Sequence, residues 1–257
     1  MIPLRDDQPA LTFPLVTILL IAANVLVYVG QQVLPLESVW ALVPYEVTHG
    51  VDLHGQLAHV GPAGDVRLYP APAGPGFALD PNDILYGPAP HPVWLTLFTS
   101  LFLHGGLLHI AGNMLYLWIF GNNVEDVLGR ARFLLFYLVC GLAAGAAQIA
   151  ISPNSLIPNV GASGAIAGVL GAYFILYPNA RVLSIVPVFF LGLLAQVRAY
   201  WVLLIWIALQ VFQGVGGLGM QRGGGVAYFA HIGGFFAGMV ILLLLGGRGL
   251  AARGNRP

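Results

Sequence analysis

Lysine is absent from this chain of 257 residues, and its ten arginines are matched by ten carboxylates. No basic excess is left for nucleic acid or for a polybasic lipid anchor. Charged residues make up only 8% of the chain, against roughly 25% in an ordinary soluble domain. The one cysteine, Cys140, lies in an apolar run and excludes an internal disulfide. Hydrophobic residues, by contrast, reach 58%. This composition is that of an integral membrane protein whose partners are the lipid bilayer and other membrane proteins. It offers neither a cofactor motif nor a nucleic-acid surface.

Six apolar stretches are long enough to cross about 30 Å of hydrocarbon. They fall near 14–34, 106–121, 133–151, 160–177, 199–216 and 226–246, so the chain, 1–257, reads as a single all-α polytopic membrane domain. The first stretch has no small-residue cleavage motif behind it and reads as a span rather than a signal peptide. Two further apolar runs, Val93 to Leu103 and Val182 to Ala195, are short, and the second contains Pro187. Both are expected to be interfacial or re-entrant.

Arginine placement gives the orientation. With both termini in the cytoplasm, eight arginines (Arg5, Arg130, Arg132, Arg181, Arg198, Arg248, Arg253 and Arg256) lie inside, and only Arg67 and Arg222 lie outside. This fits the positive-inside rule. The large outer loop, 36–92, is rich in proline and glycine, as in Pro70 to Gly76, and is expected to be solvated rather than tightly folded. Its His49, His54 and His59 are spaced by five, which does not align on a helix face, and no cysteine accompanies them. No metal site is expected there.

Two polar residues stand just inside the outer ends of spans. Ser163 lies in Gly161-Ala162-Ser163-Gly164, and His231 follows Ala230. Polar groups in a membrane helix are rare and costly, so a functional reading comes first. The fourth and sixth spans enter from the same side, which puts the serine and the histidine at similar depth. A serine hydroxyl needs a base within hydrogen-bond reach to become a nucleophile, and His231 is the one histidine of the last three spans. Gly161, Gly164 and Gly168 on one span, with Gly234 and Gly238 on the other, supply the small-residue spacing that lets helix backbones approach in lipid. Taken alone, GxSG is a weak motif, and a membrane serine that bonds its own backbone is its bland explanation.

Acyl transfer also requires donors for the oxyanion. Ser163 occupies the first turn of its helix, where backbone N–H groups lack partners. His109 and Asn113, four residues apart, share one face of the second span near its outer end. No carboxylate within the spans completes a triad, so Ser163 and His231 are expected to act as a dyad. The loop from Gly214 to Gly225, with seven glycines, is expected to be a mobile lid.

These residues resemble the rhomboid intramembrane serine proteases over roughly 92–246. His104-Gly-Gly-Leu-Leu-His109-Ile-Ala-Gly-Asn113 is similar to their HxxxxHxxxN, Gly161-Ala-Ser163-Gly164 to their GxSG, and Ala230-His231-Ile-Gly-Gly234-Phe-Phe-Ala-Gly238 to their AHxxGxxxG. The resemblance implies a six-helix rhomboid-like bundle with Ser163 as nucleophile, His231 as base, and an oxyanion hole from His109, Asn113 and the Ser163 N–H. It further implies cleavage of membrane-protein substrates near the outer ends of their transmembrane helices, after small residues, in a bacterial cytoplasmic membrane. Val124-Glu125-Asp126 and Arg132 resemble an inner segment whose implied role is structural ion pairing. The chain departs from the family at Trp94-Leu95, where many members have Trp-Arg, and at Ala167, where an aromatic residue stacks on the histidine. Tyr228 and Tyr173 are then the candidates for orienting His231. An inactive member that binds membrane clients and a small-solute channel are the competing classes.

Overall fold

A computed structural model describes residues 1–61, 65–71, 80, 83–90, 92–188, 191–217, 226–247 and 249. The chain opens with strand β1 (Ile2–Asp6) and helix α1 (Leu15–Gln31), then two short helices, α2 (Leu36–Trp40) and α3 (Pro44–His49). Strands β2 (Gln56–Val60), β3 (Val66–Pro70) and β4 (Asp83–Leu85) follow. A helical run, Val93–Phe102, contains α4 (Thr96–Thr99) and bends by 79° into a second run, Leu107–Leu128. That second run comprises α5 (Leu107–Tyr116), a π-helical segment over Leu117–Gly121, and α6 (Asn122–Leu128). The rest is α7 (Arg130–Ile151), α8 (Ser163–Leu176), strands β5 (Arg181–Val188) and β6 (Leu191–Arg198), α9 (Ala199–Gly216) and α10 (Tyr228–Leu244).

The molecule is mostly helical, but the expectation of an all-α chain is corrected by two three-stranded antiparallel sheets, β1-β5-β6 and β3-β2-β4. The apolar run Val182 to Ala195 is a hairpin rather than a re-entrant helix. Its β-branched Val182, Ile185 and Val186 suit a pleated strand, and Pro187 pairs with Gly192. Strand β1 reaches only from Val182 to Ile185 along β5. Pro187 therefore lies where β5 has a single neighbour, and its missing N–H breaks no ladder on the other side.

The segment 36–92 is likewise more ordered than its composition implied. Val43, Leu53, Ala58 and Tyr86 form a small apolar cluster of their own. The connection between β3 and β4 is itself rich in proline and glycine, and its residues 72–79 and 81–82 lie outside the described residues. His49 bonds the Tyr45 carbonyl (3.0 Å) and stacks on its ring, while His59 Nδ1 lies 2.7 Å from Asp83 Oδ1. The two histidines thus face separate partners. Among the described residues no three metal-binding side chains converge.

Helix α8 is the central element. Eleven of its fourteen residues are buried, which a helix tolerates only when it is apolar on every side. Gly164, Ala165, Ala167, Gly168, Gly171 and Ala172 keep it slim enough to be surrounded. The main core gathers on it, with Phe120, Phe133, Tyr137, Leu170, Tyr173, Leu203 and Leu242 all buried. Apolar side chains also face outward, among them Leu135, Leu209, Phe212, Val240 and Leu244, as a lipid solvent requires. Helices α7 and α9 are long and apolar enough to cross a membrane, with mean hydropathies of 2.1 and 1.6, and the bent pair Val93–Phe102 and Leu107–Leu128 passes as a third span. Helices α1, α8 and α10 are apolar and shorter.

At the end of the bundle away from Ser163, carboxylates hold backbone. Glu125 accepts from the Val16 and Thr17 N–H groups and the Thr17 hydroxyl, and Asp126 accepts from the Leu11 and Thr12 N–H groups and the Thr12 hydroxyl. The expected ion pairing with Arg132 is corrected, since among the described residues no such pair forms. The orphan donors at the start of α1 take the acidic residues instead.

Candidate active site

Two helices with facing glycines bring the site together. A Cβ on Gly234 would strike the Gly164 carbonyl, and one on Gly238 the Gly168 carbonyl. Glycines 164 and 168 thus meet 234 and 238 in the same order, so α8 and α10 run parallel and their first turns lie side by side. A third backbone closes in as well, because a Cβ on Gly164 would sit 2.6 Å from the Ala144 Cβ of α7. Only glycine permits this spacing, and a short serine side chain then reaches the neighbouring helix.

Ser163 Oγ lies 2.7 Å from His231 Nε2. His231 is buried and the serine half-buried. The far ring nitrogen, Nδ1, lies 2.7 Å from Gln210 Oε1 of α9. An amide oxygen can only accept, so Nδ1 carries the proton and Nε2 presents its lone pair to the serine hydroxyl. Trp206, one turn before Gln210, lies beside the imidazole with ring centroids 5.7 Å apart. Gln210 and Trp206 are thus the imidazole's neighbours beyond Ser163, and among the described residues neither Tyr173 nor Tyr228 is one of its partners. Tyr173 donates its hydroxyl to Asp6 instead, and Ala167 is a buried packing residue of α8.

The loop entering the serine is held from two directions. Asn159 exchanges backbone hydrogen bonds with Leu42 (2.7 and 3.0 Å), and the Gly161 N–H donates to the Ser100 carbonyl (2.8 Å). Tyr86 from the outer segment donates to the Leu156 carbonyl. Gly161 adopts φ +126°, a backbone that side-chain-bearing residues rarely take. A Cβ there would also lie 2.8 Å from His109 Nε2 and 3.6 Å from Asn113 Nδ2. This single glycine leaves open the place where those two side chains converge beside Ser163.

Both groups face that place as donors. The Gly105 N–H points to His109 Nδ1 at 3.4 Å, which leaves Nε2 as the protonated nitrogen. The Asn113 amide nitrogen is buried and has no hydrogen-bond partner among the described residues, a costly condition for a donor unless a ligand completes it. Together with the Ser163 N–H, which as the first of α8 has no intrahelical acceptor, these donors can hold an oxygen that gains negative charge. At the start of α10, Gln148 of α7 accepts from the Ala230 N–H (3.3 Å) and fixes the turn that carries His231.

The structure thus brings together Ser163, His231, His109 and Asn113. Residues 218–225, most of the expected lid, lie outside the described residues. Sequence reasoning did not find Gln210, Trp206 or Gln148. The one available signal was the i, i+4 spacing of Trp206 and Gln210 on a single apolar helix.

A serine and an imidazole in hydrogen-bond contact, next to a cluster of donors, define a hydrolase-like site on a helical bundle. The rhomboid domain profile matches residues 91–248, and the chain belongs to the rhomboid family. It is therefore an integral membrane protein. It is similar to the rhomboid protease GluP of Bacillus subtilis, 47% identical over 79 residues, which are 31% of this chain and 15% of that relative. The putative rhomboid protease YdcA of Bacillus subtilis is 38% identical over 80 residues, 31% of this chain and 40% of the relative. The chloroplastic rhomboid-like protein 11 of Arabidopsis thaliana is 29% identical over 159 residues, 60% of this chain and 53% of the relative. In each case the matched region spans about half or less of the relative's own length.

Proposed function

We propose that this chain is an intramembrane serine endopeptidase that cleaves transmembrane segments of other membrane proteins near their outer ends. The observation that carries the reading is the 2.7 Å contact between Ser163 Oγ and His231 Nε2, with the remaining ring nitrogen already paired. His231 takes the Ser163 proton as Oγ bonds to the scissile carbonyl carbon. The oxygen that becomes negative is held by His109, Asn113 and the Ser163 N–H. As the C–N bond breaks, the imidazolium gives its proton to the departing amine. Water, deprotonated by His231, then attacks the acyl ester, and as the C–O bond breaks the imidazolium returns that proton to Ser163 Oγ.

In this reading the chain is one membrane domain of six spans, formed by α1, the run Leu107–Leu128, α7, α8, α9 and α10, with both termini in the cytoplasm of a bacterial cell. Eight of ten arginines on the inner side support that orientation, and the parallel directions of α8 and α10 suit a single span, α9, between them. Fourteen residues rise about 21 Å, well short of about 30 Å of hydrocarbon. A helix of this length starts below the outer surface, which sinks Ser163 into a cavity open to water from outside. Substrate helices enter from the lipid and must unwind locally, because a helical backbone hides its carbonyls from attack. Small residues before the scissile bond fit the space beside Gly161.

The test is a fluorophosphonate probe together with cleavage of a transmembrane substrate in proteoliposomes. Labelling and cleavage by the wild type, both abolished in Ser163→Ala and in His231→Ala, support the reading. Undiminished turnover in either variant overturns it. Binding of membrane segments without labelling in any lipid or detergent favours an inactive client binder.

A further inference from the structure

His231 meets its serine through one nitrogen, and the other is not left to water. We infer that Gln210 is the positioning residue of this site: its side-chain oxygen accepts the Nδ1 proton of His231 and so keeps Nε2 as the base that faces Ser163. This inference rests on the serine-endopeptidase reading above.

Two observations and one rule of imidazole chemistry carry it. The Nδ1···Oε1 distance of 2.7 Å equals the Nε2···Oγ distance on the other side of the ring, so the imidazole is held at both ends. A neutral imidazole has two tautomers, and only the one protonated at Nδ1 can take a proton at Nε2. Trp206 lies against the ring from the same helix, one turn earlier, which restricts rotation that a single hydrogen bond would allow. Gln210 and Trp206 therefore give α9 a defined task next to a nucleophile on α8 and a base on α10.

An amide does this differently from a carboxylate. It selects the tautomer and the ring direction but adds no charge to stabilise the imidazolium that forms during reaction. A glutamine that merely joined two helices would also make an interhelical hydrogen bond. In that case its loss would lower stability and leave the chemistry of the folded protein unchanged.

The experiment follows the rate of fluorophosphonate labelling of Ser163 in the full-length chain, reconstituted in lipid, from pH 5 to pH 9. Wild type, Gln210→Leu and Gln210→Glu are compared, with Ser163→Ala as the blank. Gln210→Leu is expected to label about 10- to 100-fold more slowly per folded molecule, the size of effect that misplacement of a reacting group produces. Gln210→Glu, nearly isosteric, is expected to regain the rate at alkaline pH. Its profile should rise at higher pH than that of the wild type, because a protonated carboxyl can donate to Nδ1 and select the wrong tautomer, whereas the carboxylate accepts and favours the imidazolium. Among the described residues His109 of α5 is the ionisable group whose charge also acts on His231, and it is the same in every variant. Should Gln210→Leu fail to fold, the pH profile of Gln210→Glu decides alone. Wild-type rates in Gln210→Leu, or a Gln210→Glu profile that superimposes on the wild type, overturn the inference while Ser163-dependent labelling stands. No Ser163-dependent labelling in the wild type removes the endopeptidase reading and the inference with it.

Discussion

Glu125 closes the start of the first long helix through Thr17, accepting from its N–H at 2.8 Å and from its hydroxyl at 2.7 Å. A third bond, from the Val16 N–H at 2.9 Å, completes a buried carboxylate cap. Glu125→Ala is expected to destabilise the bundle by about 2–4 kcal/mol, since several charge-assisted bonds vanish and orphan donors are left behind. Thr17→Val should cost less, on the order of 1–2 kcal/mol. Unfolding followed in mixed micelles checks both, and equal effects of the two would show that the carboxylate is not the organising group.

Gly238→Ala places a methyl group on the Gly168 carbonyl. The expected loss is about 1–3 kcal/mol from overpacking, with a fall in activity because α8 and α10 must move apart. Gly112→Ala meets nothing within 4 Å and should keep or raise stability, by about 0.5–1 kcal/mol from helix propensity. Parallel thermal unfolding curves for the two variants measure the contrast.

Asn113→Ala removes a buried donor that has no hydrogen-bond partner among the described residues. Cleavage of a transmembrane substrate is expected to drop about 10- to 1,000-fold, mostly in kcat. Because the amide nitrogen is unpaired beforehand, stability should not fall, and a small rise is expected. A variant that loses stability and keeps its kcat would contradict this assignment.

The outer segment should respond to acid. A hydrogen bond from His59 and a backbone bond hold the Asp83 carboxyl below the usual carboxylate range. A carboxylate whose folded value is depressed contributes stability that is present above its unfolded value near pH 4 and is lost as pH falls through the folded value. The protection of β2 and β4 amides against hydrogen exchange, taken relative to the intrinsic rate at each pH, is therefore expected to fall below about pH 4. Asp83→Asn should exchange faster at neutral pH and lose that acid dependence.

Much of the site was legible because it depends on spacing. Glycines four apart on two apolar helices predicted that α8 and α10 approach closely, and the structure places Gly164 against Gly234 and Gly168 against Gly238. Gln210 was not legible, for it sits 21 residues before His231 and reaches it only through the rotation that packing gives α9. The two sheets were missed for a different reason. A short apolar run reads equally as a strand or a buried helical segment, and what decides for β5 is its pairing with β6 along its whole length and with β1 from far upstream. In the segment 36–92, composition concealed order because the proline and glycine lie mainly between strands rather than within them.

Strand β1 has a consequence for the way the molecule is made. Its hydrogen-bond partner is β5, whose hairpin is complete only at Arg198, so a ribosome adding roughly 5–20 residues per second leaves the strand waiting about 10–40 s. Asp6 likewise waits for Asn123 and Tyr173, and Asp7 for the Arg181 N–H, all made much later than β1. Strand β1 is made long before its partners and finds its place late, and its docking acts as a seal on a bundle whose middle helices must already be assembled.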